Sequence, residues 1–201
     1  MGHLLVADRV EEGSIDIFSN LIKKRILFLS EEIDAAVATS ITASLLFLDL
    51  HSQEEITLYI NSIGGSVSDG LLTIHDALQY IKSPVKTICI GEAYSSAAVI
   101  LAAGSKGRRF AFPNAKIMIH NIQVEEMSGT QKEIQEEAKR VKELNHVLMS
   151  LIANHTNQPL KKVRRDCLKD KYFNPEEAIK YGLIDGVVES FKNLSASKIA
   201  A

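Results

Sequence analysis

Ser95, His120 and Asp170 are the side chains of this sequence with the types that covalent hydrolysis needs. A hydroxyl becomes a nucleophile when an imidazole takes its proton, and a carboxylate that orients the imidazole completes the set. Each residue also has an ordinary reading. Small residues after a glycine turn often serve helix–strand packing, and a histidine at a strand end is commonly a satisfied core or surface residue. Asp170, in CLKDKYF, is by itself a loop aspartate, and Ser96 competes with Ser95 as the nucleophile.

The elements around these residues sharpen the reading. TICIGEAYSSAAVILAAG reads as a buried strand over Val85–Ile90, a turn over Gly91–Tyr94 and a small-residue helix opening near Ser95. The first N–H groups of a helix have no internal acceptor, so they are donors suited to an oxyanion. RRFAFPNAKIMIHNI ends an apolar strand at His120, and an imidazole titrates close to working pH. In YINSIGGSVSDG, Gly64 and Gly65 stand between a strand and a helix. The spacing and the lysine of a phosphate loop are missing, so the pair better suits backbone N–H groups approaching a substrate carbonyl.

Apolar spacing alternates between short runs and helical periods, which predicts an α/β domain. Strands are expected at Ile26–Leu29, Ile56–Ile60, Val85–Ile90, Arg109–Phe112 and Ile117–Ile119. Helices are expected at Ile33–Leu50, burying Val37, Ile41, Leu45 and Leu48, and at Ser68–Lys82, burying Leu71, Leu72, Ile74 and Leu78. Alternation with short connections implies right-handed crossovers and a largely parallel sheet. From about Thr130 to Asn154 the spacing predicts a long charged helix with an apolar stripe of Ile134, Ala138, Val141, Leu144, Leu148 and Ile152. Such a helix spans roughly 36 Å, long enough to project and pack against a partner. Pro159 suits a first helical position, and Asn174-Pro175-Glu176-Glu177 combines a cap, a first-turn proline and a capping-box glutamate, with Gly182 as the stop. The last residues, SASKIAA, read as frayed.

With 201 residues, 46% apolar, 24% charged and a net charge of −2, the composition fits one soluble domain with a sizeable core. Nothing points to nucleic acid. The clusters Lys23, Lys24, Arg25 and Lys161, Lys162, Arg164, Arg165 read as solvated helix faces. The start lacks a secretory pattern, no segment is long enough to span a membrane, and a myristoylation match fails at Val6. The cytoplasm is therefore the default compartment. Cys89 and Cys167 give neither metal spacing nor a disulfide framework, and read as buried thiols.

IDIFSNLIKKRILFL, YINSIGGSV, TICIGEAYSSAA, RRFAFPNAKIMIH, HTNQPLKKVRRD and EEAIKYGLID together resemble the proteolytic subunits of Clp proteases, in family order and spacing from about Ser14 to Val188. By that resemblance Ser95 aligns with the nucleophile, His120 with the general base and Asp170 with the orienting carboxylate. Gly65 and Ser96 align with the oxyanion-hole donors. The resemblance implies a crotonase-like βαβ spiral head over 17–120 and 155–190, a protruding handle helix within 121–154, a pore segment over 1–16 and a flexible tail over 191–201. It implies two stacked seven-membered rings, of one subunit or mixed with a second paralogue, and an AAA+ unfoldase of the ClpX, ClpA or ClpC type that feeds in unfolded polypeptide. The chain carries no nucleotide motif and implies no cofactor or metal of its own; ATP belongs to the unfoldase. The fold also hosts acyl-CoA chemistry, against which the complete triad speaks.

Departures from the family pattern cluster beside Ser95. Tyr94 replaces a small residue, Ser96 and Ala97 replace methionine and glycine, Ile63 replaces a proline, Asn121-Ile122 replace glutamine-proline, and QVEEMSG replaces a glycine-rich stretch. They predict a substrate pocket narrowed by Tyr94 and an altered cleavage preference. The alternative they raise is a scaffold subunit, inactive or active only beside a second ring type.

Overall fold

The computed structural model of the chain describes residues 17–124 and 126–188. The expected pore segment and tail lie outside the described residues. In chain order the elements are α1 (Ile17–Lys23), β1 (Ile26–Leu29), α2 (Ala35–His51), β2 (Ile56–Ser62), a π-helical turn (Val67–Leu71) leading into α3 (Leu72–Tyr80), and β3 (Val85–Tyr94). Then come α4 (Ser96–Ala102), β4 (Arg109–Ala111), β5 (Lys116–Ile119), α5 (Gln131–Thr156), α6 (Leu160–Asp166), β6 (Lys171–Phe173), α7 (Pro175–Tyr181) and β7 (Gly186–Val187).

The strands form one seven-stranded sheet, with β1-β2-β3-β4-β7 in order and β5 and β6 branching from β3. Every pairing is parallel except β5 with β6. The strand–helix alternation therefore gives the parallel crossovers expected of it. β2 buries Ile56, Leu58 and Ile60 on its inner face, while α2 covers them with Ala38, Ile41, Leu45 and Leu48. Asp34 starts α2 by accepting from the Val37 N–H at 2.8 Å. Removing one such fully buried side chain, as in Leu58→Ala, costs about 2–5 kcal/mol.

Some expectations change. Arg25 is not on a solvated helical face: it sits at φ 62°, and its guanidinium donates to the carbonyls of Leu48, Ser52, Glu54 and Glu55, stapling the end of α2 to the β2 entry. Pro159 is the residue before α6 rather than inside it. The Asn174 cap, Pro175, the Glu177 capping box and the Gly182 stop of α7 are as expected. In α5, Leu148 and Ile152 are buried in the head, whereas Ile134 and Ala138 are exposed. The stripe thus changes role along the helix, and only its first turns are left uncovered.

Candidate active site

β3 positions the site. Up to Cys89 it lies between β2 and β4, with Thr87–Cys89 paired to Arg109–Ala111. Farther on, Glu92–Tyr94 pairs with Lys116–Met118 of β5. The expected turn at Gly91–Tyr94 is therefore strand. At the changeover the β2 register shifts between Ile60 and Ser62, and Asn61 Oδ1 accepts from the Glu92 N–H at 3.0 Å. Half-buried Gly91 and Glu92 interrupt the apolar run, so the sequence pattern marks where full burial ends and not where the strand ends.

Ser95 follows at φ 53° and ψ −122°, a conformation that L residues rarely adopt. This sharp strand-to-helix turn leaves Ser95 half-buried. Its N–H donates to the Met118 carbonyl at 2.9 Å, and its carbonyl accepts from the Ala98 N–H at 3.1 Å. Gly64 packs beneath it at φ +95°; a Cβ there would lie 2.6 Å from the Tyr94 carbonyl oxygen and 2.8 Å from Ser95 Cβ. Ser96 is fully buried and its hydroxyl donates to the Gly65 carbonyl at 2.8 Å. That removes Ser96 as a rival nucleophile. Its N–H lies in the first turn of α4, where no intrahelical acceptor exists. Beside it, the Ile33 N–H donates to the Gly64 carbonyl and the Ser66 N–H to the Ile33 carbonyl, both at 2.8 Å. Among the described residues the Gly65 N–H between them has no backbone acceptor.

His120 and Asp170 are brought together by register. β5 and β6 pair Ile117 with Phe173, Met118 with Tyr172 and Ile119 with Lys171, so the next opposed pair is His120 and Asp170. The His120 Nδ1 to Asp170 Oδ1 distance is 3.3 Å, with side-chain exposures of 14% and 43%. That is ion-pair range, but Nδ1 lacks hydrogen-bond geometry to any partner among the described residues. Catalytic hydrogen bonds of this kind often tighten only when substrate binds.

Ser95 and His120 line one cleft of about 570 Å³. Its apolar wall is made by Ile63, Val67, Ile122, Val124, Val141 and Leu144. Tyr94, expected to narrow this space, is not among the lining residues; its ring turns instead onto Tyr172. The α5 contribution was hidden in the sequence, because Val141 and Leu144 belong to the stripe read as a partner surface. Asn145 was also missed: its Oδ1 accepts from the Ile122 N–H at 3.2 Å and its amide donates to Asn121 Oδ1 at 3.4 Å, tying the segment after His120 to α5. An amide flanked by apolar helix positions was the signal for it.

At the cleft mouth Arg140 donates to both Glu137 carboxylate oxygens at 2.9 and 2.6 Å, which holds that carboxyl below its usual range. Asp69 is likewise lowered, first by the Ser66 hydroxyl that donates to it. Burial pushes the thiols of Cys89 and Cys167 up to about 11 and about 12, so neither is a thiolate nucleophile at neutral pH. Among the described residues no three His, Cys, Asp or Glu side chains converge as metal ligands, and no helix is long and apolar enough to cross a membrane.

Residues 9–191 match the family model described as Clp protease. The chain is 45% identical over 179 residues to the ATP-dependent Clp protease proteolytic subunit of Deinococcus radiodurans, covering 89% of this chain and 87% of that one. The stretch matched takes in the Ser95 turn, the β5–β6 pair and the whole cleft, and the chain belongs to the Clp protease family.

Proposed function

We propose that the chain is a serine endopeptidase, the proteolytic subunit of a Clp protease, with Ser95 as nucleophile, His120 as general base and Asp170 as the carboxylate that orients it. The observation that carries this reading is the strained Ser95 turn opening into the same cleft as His120, whose Nδ1 faces Asp170 at 3.3 Å. With Nδ1 turned to the carboxylate, Nε2 is the ring nitrogen left for the Ser95 hydroxyl. Nε2 takes the hydroxyl proton as Oγ attacks the peptide carbonyl, and returns it to the leaving amine. The N–H groups of Gly65 and Ser96 stabilise the tetrahedral oxyanion. Water activated by the same imidazole then hydrolyses the acyl-enzyme. The apolar wall suits peptides that present apolar side chains.

The same reading takes the parallel crossovers as a crotonase-like head and the exposed first turns of α5 as a handle helix. It assigns the protein to stacked heptameric rings in the cytoplasm, served by an AAA+ unfoldase that spends the ATP. That the Deinococcus relative is the subunit of an ATP-dependent protease supports such a partner.

Fluorophosphonate labelling with intact-mass readout, run beside light scattering on the same sample, tests it. One adduct per subunit is expected on a ring-sized particle, absent from Ser95→Ala and retained in Ser96→Ala. An adduct that persists in Ser95→Ala would overturn the assignment.

A further inference from the structure

We infer that Tyr94, Met118 and Tyr172 form a positioning row that locks the strand carrying the nucleophile to the strand that follows the triad carboxylate; the inference rests on the triad assigned above. Tyr94 pairs with Met118 across the β3–β5 ladder, and Met118 pairs with Tyr172 across the β5–β6 ladder. The three residues therefore form one rung across three strands. Alternate residues of a strand share a face, so Met118 lies on the His120 face of β5 and Tyr172 on the Asp170 face of β6. Tyr94 immediately precedes Ser95. Each member of the row thus lies within two residues of one member of the triad along the chain.

The rings close the row. Strands two places apart lie nearly 10 Å from each other at the backbone, yet the Tyr94 and Tyr172 centroids are 5.7 Å apart at an interplanar angle of 88°. Both rings lean over β5 to meet edge to face above buried Met118. Neither tyrosine lines the cleft that Ser95 and His120 share. Tyr172 is 55% exposed, so core filling does not account for it. β6 has three residues and pairs with β5 alone, and it delivers the Asp170 side chain. It is already held at both ends, by the Lys171–Asp166 pair at 3.1 Å and by buried Phe173 against Tyr181. What the Tyr94–Tyr172 contact adds is a tie at its middle residue that reaches across β5 to the strand of Ser95. The His120–Asp170 pair is at 3.3 Å but lacks hydrogen-bond geometry, so the orientation in which β6 presents Asp170 decides whether the imidazole is held.

The test uses the assembled protein and the variants Tyr172→Ala, Tyr172→Leu and Tyr172→Phe, with Ser95→Ala as reference. Turnover of a short fluorogenic peptide and the rate of fluorophosphonate labelling are both measured. Tyr172→Ala and Tyr172→Leu should lower kcat and labelling rate by about tenfold or more with KM within about twofold, the pattern of lost alignment without lost binding. Tyr172→Phe keeps the ring edge and should stay within about twofold of wild type on the same measures. Combining Tyr94→Leu with Tyr172→Leu should cost no more than either change alone, since both break one contact. Leucine at the wild-type rate, phenylalanine as impaired as alanine, or additive losses in the double variant would each overturn the row. Should Tyr172→Ala fail to assemble, the leucine and phenylalanine variants decide by the same criterion. Failure of the triad reading looks different: wild type would not label, or Ser95→Ala would.

Discussion

Between Val85 and Ile90, β3 runs in a setting where polar groups are answered. The Thr87 hydroxyl donates to the Leu101 carbonyl at 2.7 Å, and the Lys86 ammonium pairs with Glu55. On neighbouring β4, buried Arg109 grips both Asp185 oxygens and donates to the carbonyls of Ala102, His155 and Gly182. From Gly91 to the Ser95 turn the same chain is held differently. A non-glycine residue sits at φ 53°, a buried imidazole nitrogen has no hydrogen bond among the described residues, and a carboxylate stands half in solvent. Strain and unmet hydrogen-bonding capacity are costly in a fold; Asn157 at φ 55° and ψ 25° stays in the left-handed region, whereas Ser95 at ψ −122° lies outside it, at the end where a substrate can use it. One strand thus joins a satisfied half that fixes the architecture to a poised half to which the proposed triad assigns the chemistry.

That division makes mutations separable. Ser95→Ala should remove about 10,000-fold or more of peptide turnover, equivalent to about 5 kcal/mol of barrier, while the melting temperature stays unchanged, since alanine must adopt the same turn. A similar melting loss would mean that the poised half also carries the architecture. Arg109→Leu is the converse. Losing the guanidinium leaves the carbonyls of Ala102, His155 and Gly182 without this donor and Asp185, whose side chain is 23% exposed, without its partner. That should cost about 2–3 kcal/mol of stability, read from urea unfolding, while labelling per folded molecule stays within about twofold of wild type. Asp185 is the group at risk, because the Arg109 pairing overcomes the upward push of burial and holds its carboxyl below the usual range. Gly64→Ala probes the border. Its Cβ would press on Tyr94 and Ser95, so turnover should fall about 100-fold, or about 3 kcal/mol, with a smaller loss of stability. Equal turnover in Gly64→Ala would show that the Ser95 turn tolerates displacement.

The satisfied half was largely legible in the sequence and the poised half was not. β1 reads to the residue, since Ile26–Leu29 is an uninterrupted apolar run, and the α7 caps read from residue type alone. The continuation of β3 through Glu92 was invisible because its new neighbour, β5, arrives only after β4 has ended. β6 escaped for a related reason: Lys171 and Tyr172 show no apolar alternation, and its partner is the one antiparallel neighbour in the sheet. Ser95, His120 and Asp170 were each visible as residue types. Their meeting depended on the β5–β6 register, which no local pattern encodes. Ser96 stayed open as a nucleophile until its burial and its bond to the Gly65 carbonyl closed it.

The smallest effect expected separates two histidine chemistries. His75 on α3 and His155 on α5 meet Nε2 to Nε2 at 2.9 Å, and His75 Nδ1 lies 3.0 Å from Asp76 Oδ1. Both contacts are satisfied when His75 donates from Nδ1 to Asp76 and His155 donates from Nε2 to His75. A further proton would place a charge in this largely buried pair. Burial, then His75, Arg109 and Lys106, lower the His155 pKa from 6.5 to about 4. The unfolded chain therefore takes up a proton that the folded protein refuses. Stability from this pair is complete above the unfolded value and is lost as the pH falls from 6.5 toward 4. Between about pH 7 and about pH 5 that loss, reduced by solvent at this half-buried ring, should reach about 1 kcal/mol, seen as a lower urea midpoint. His155→Leu should flatten the urea midpoint across that interval while leaving labelling at Ser95 intact at neutral pH. If the slope persisted in His155→Leu, the acid sensitivity would belong to a group outside this histidine pair.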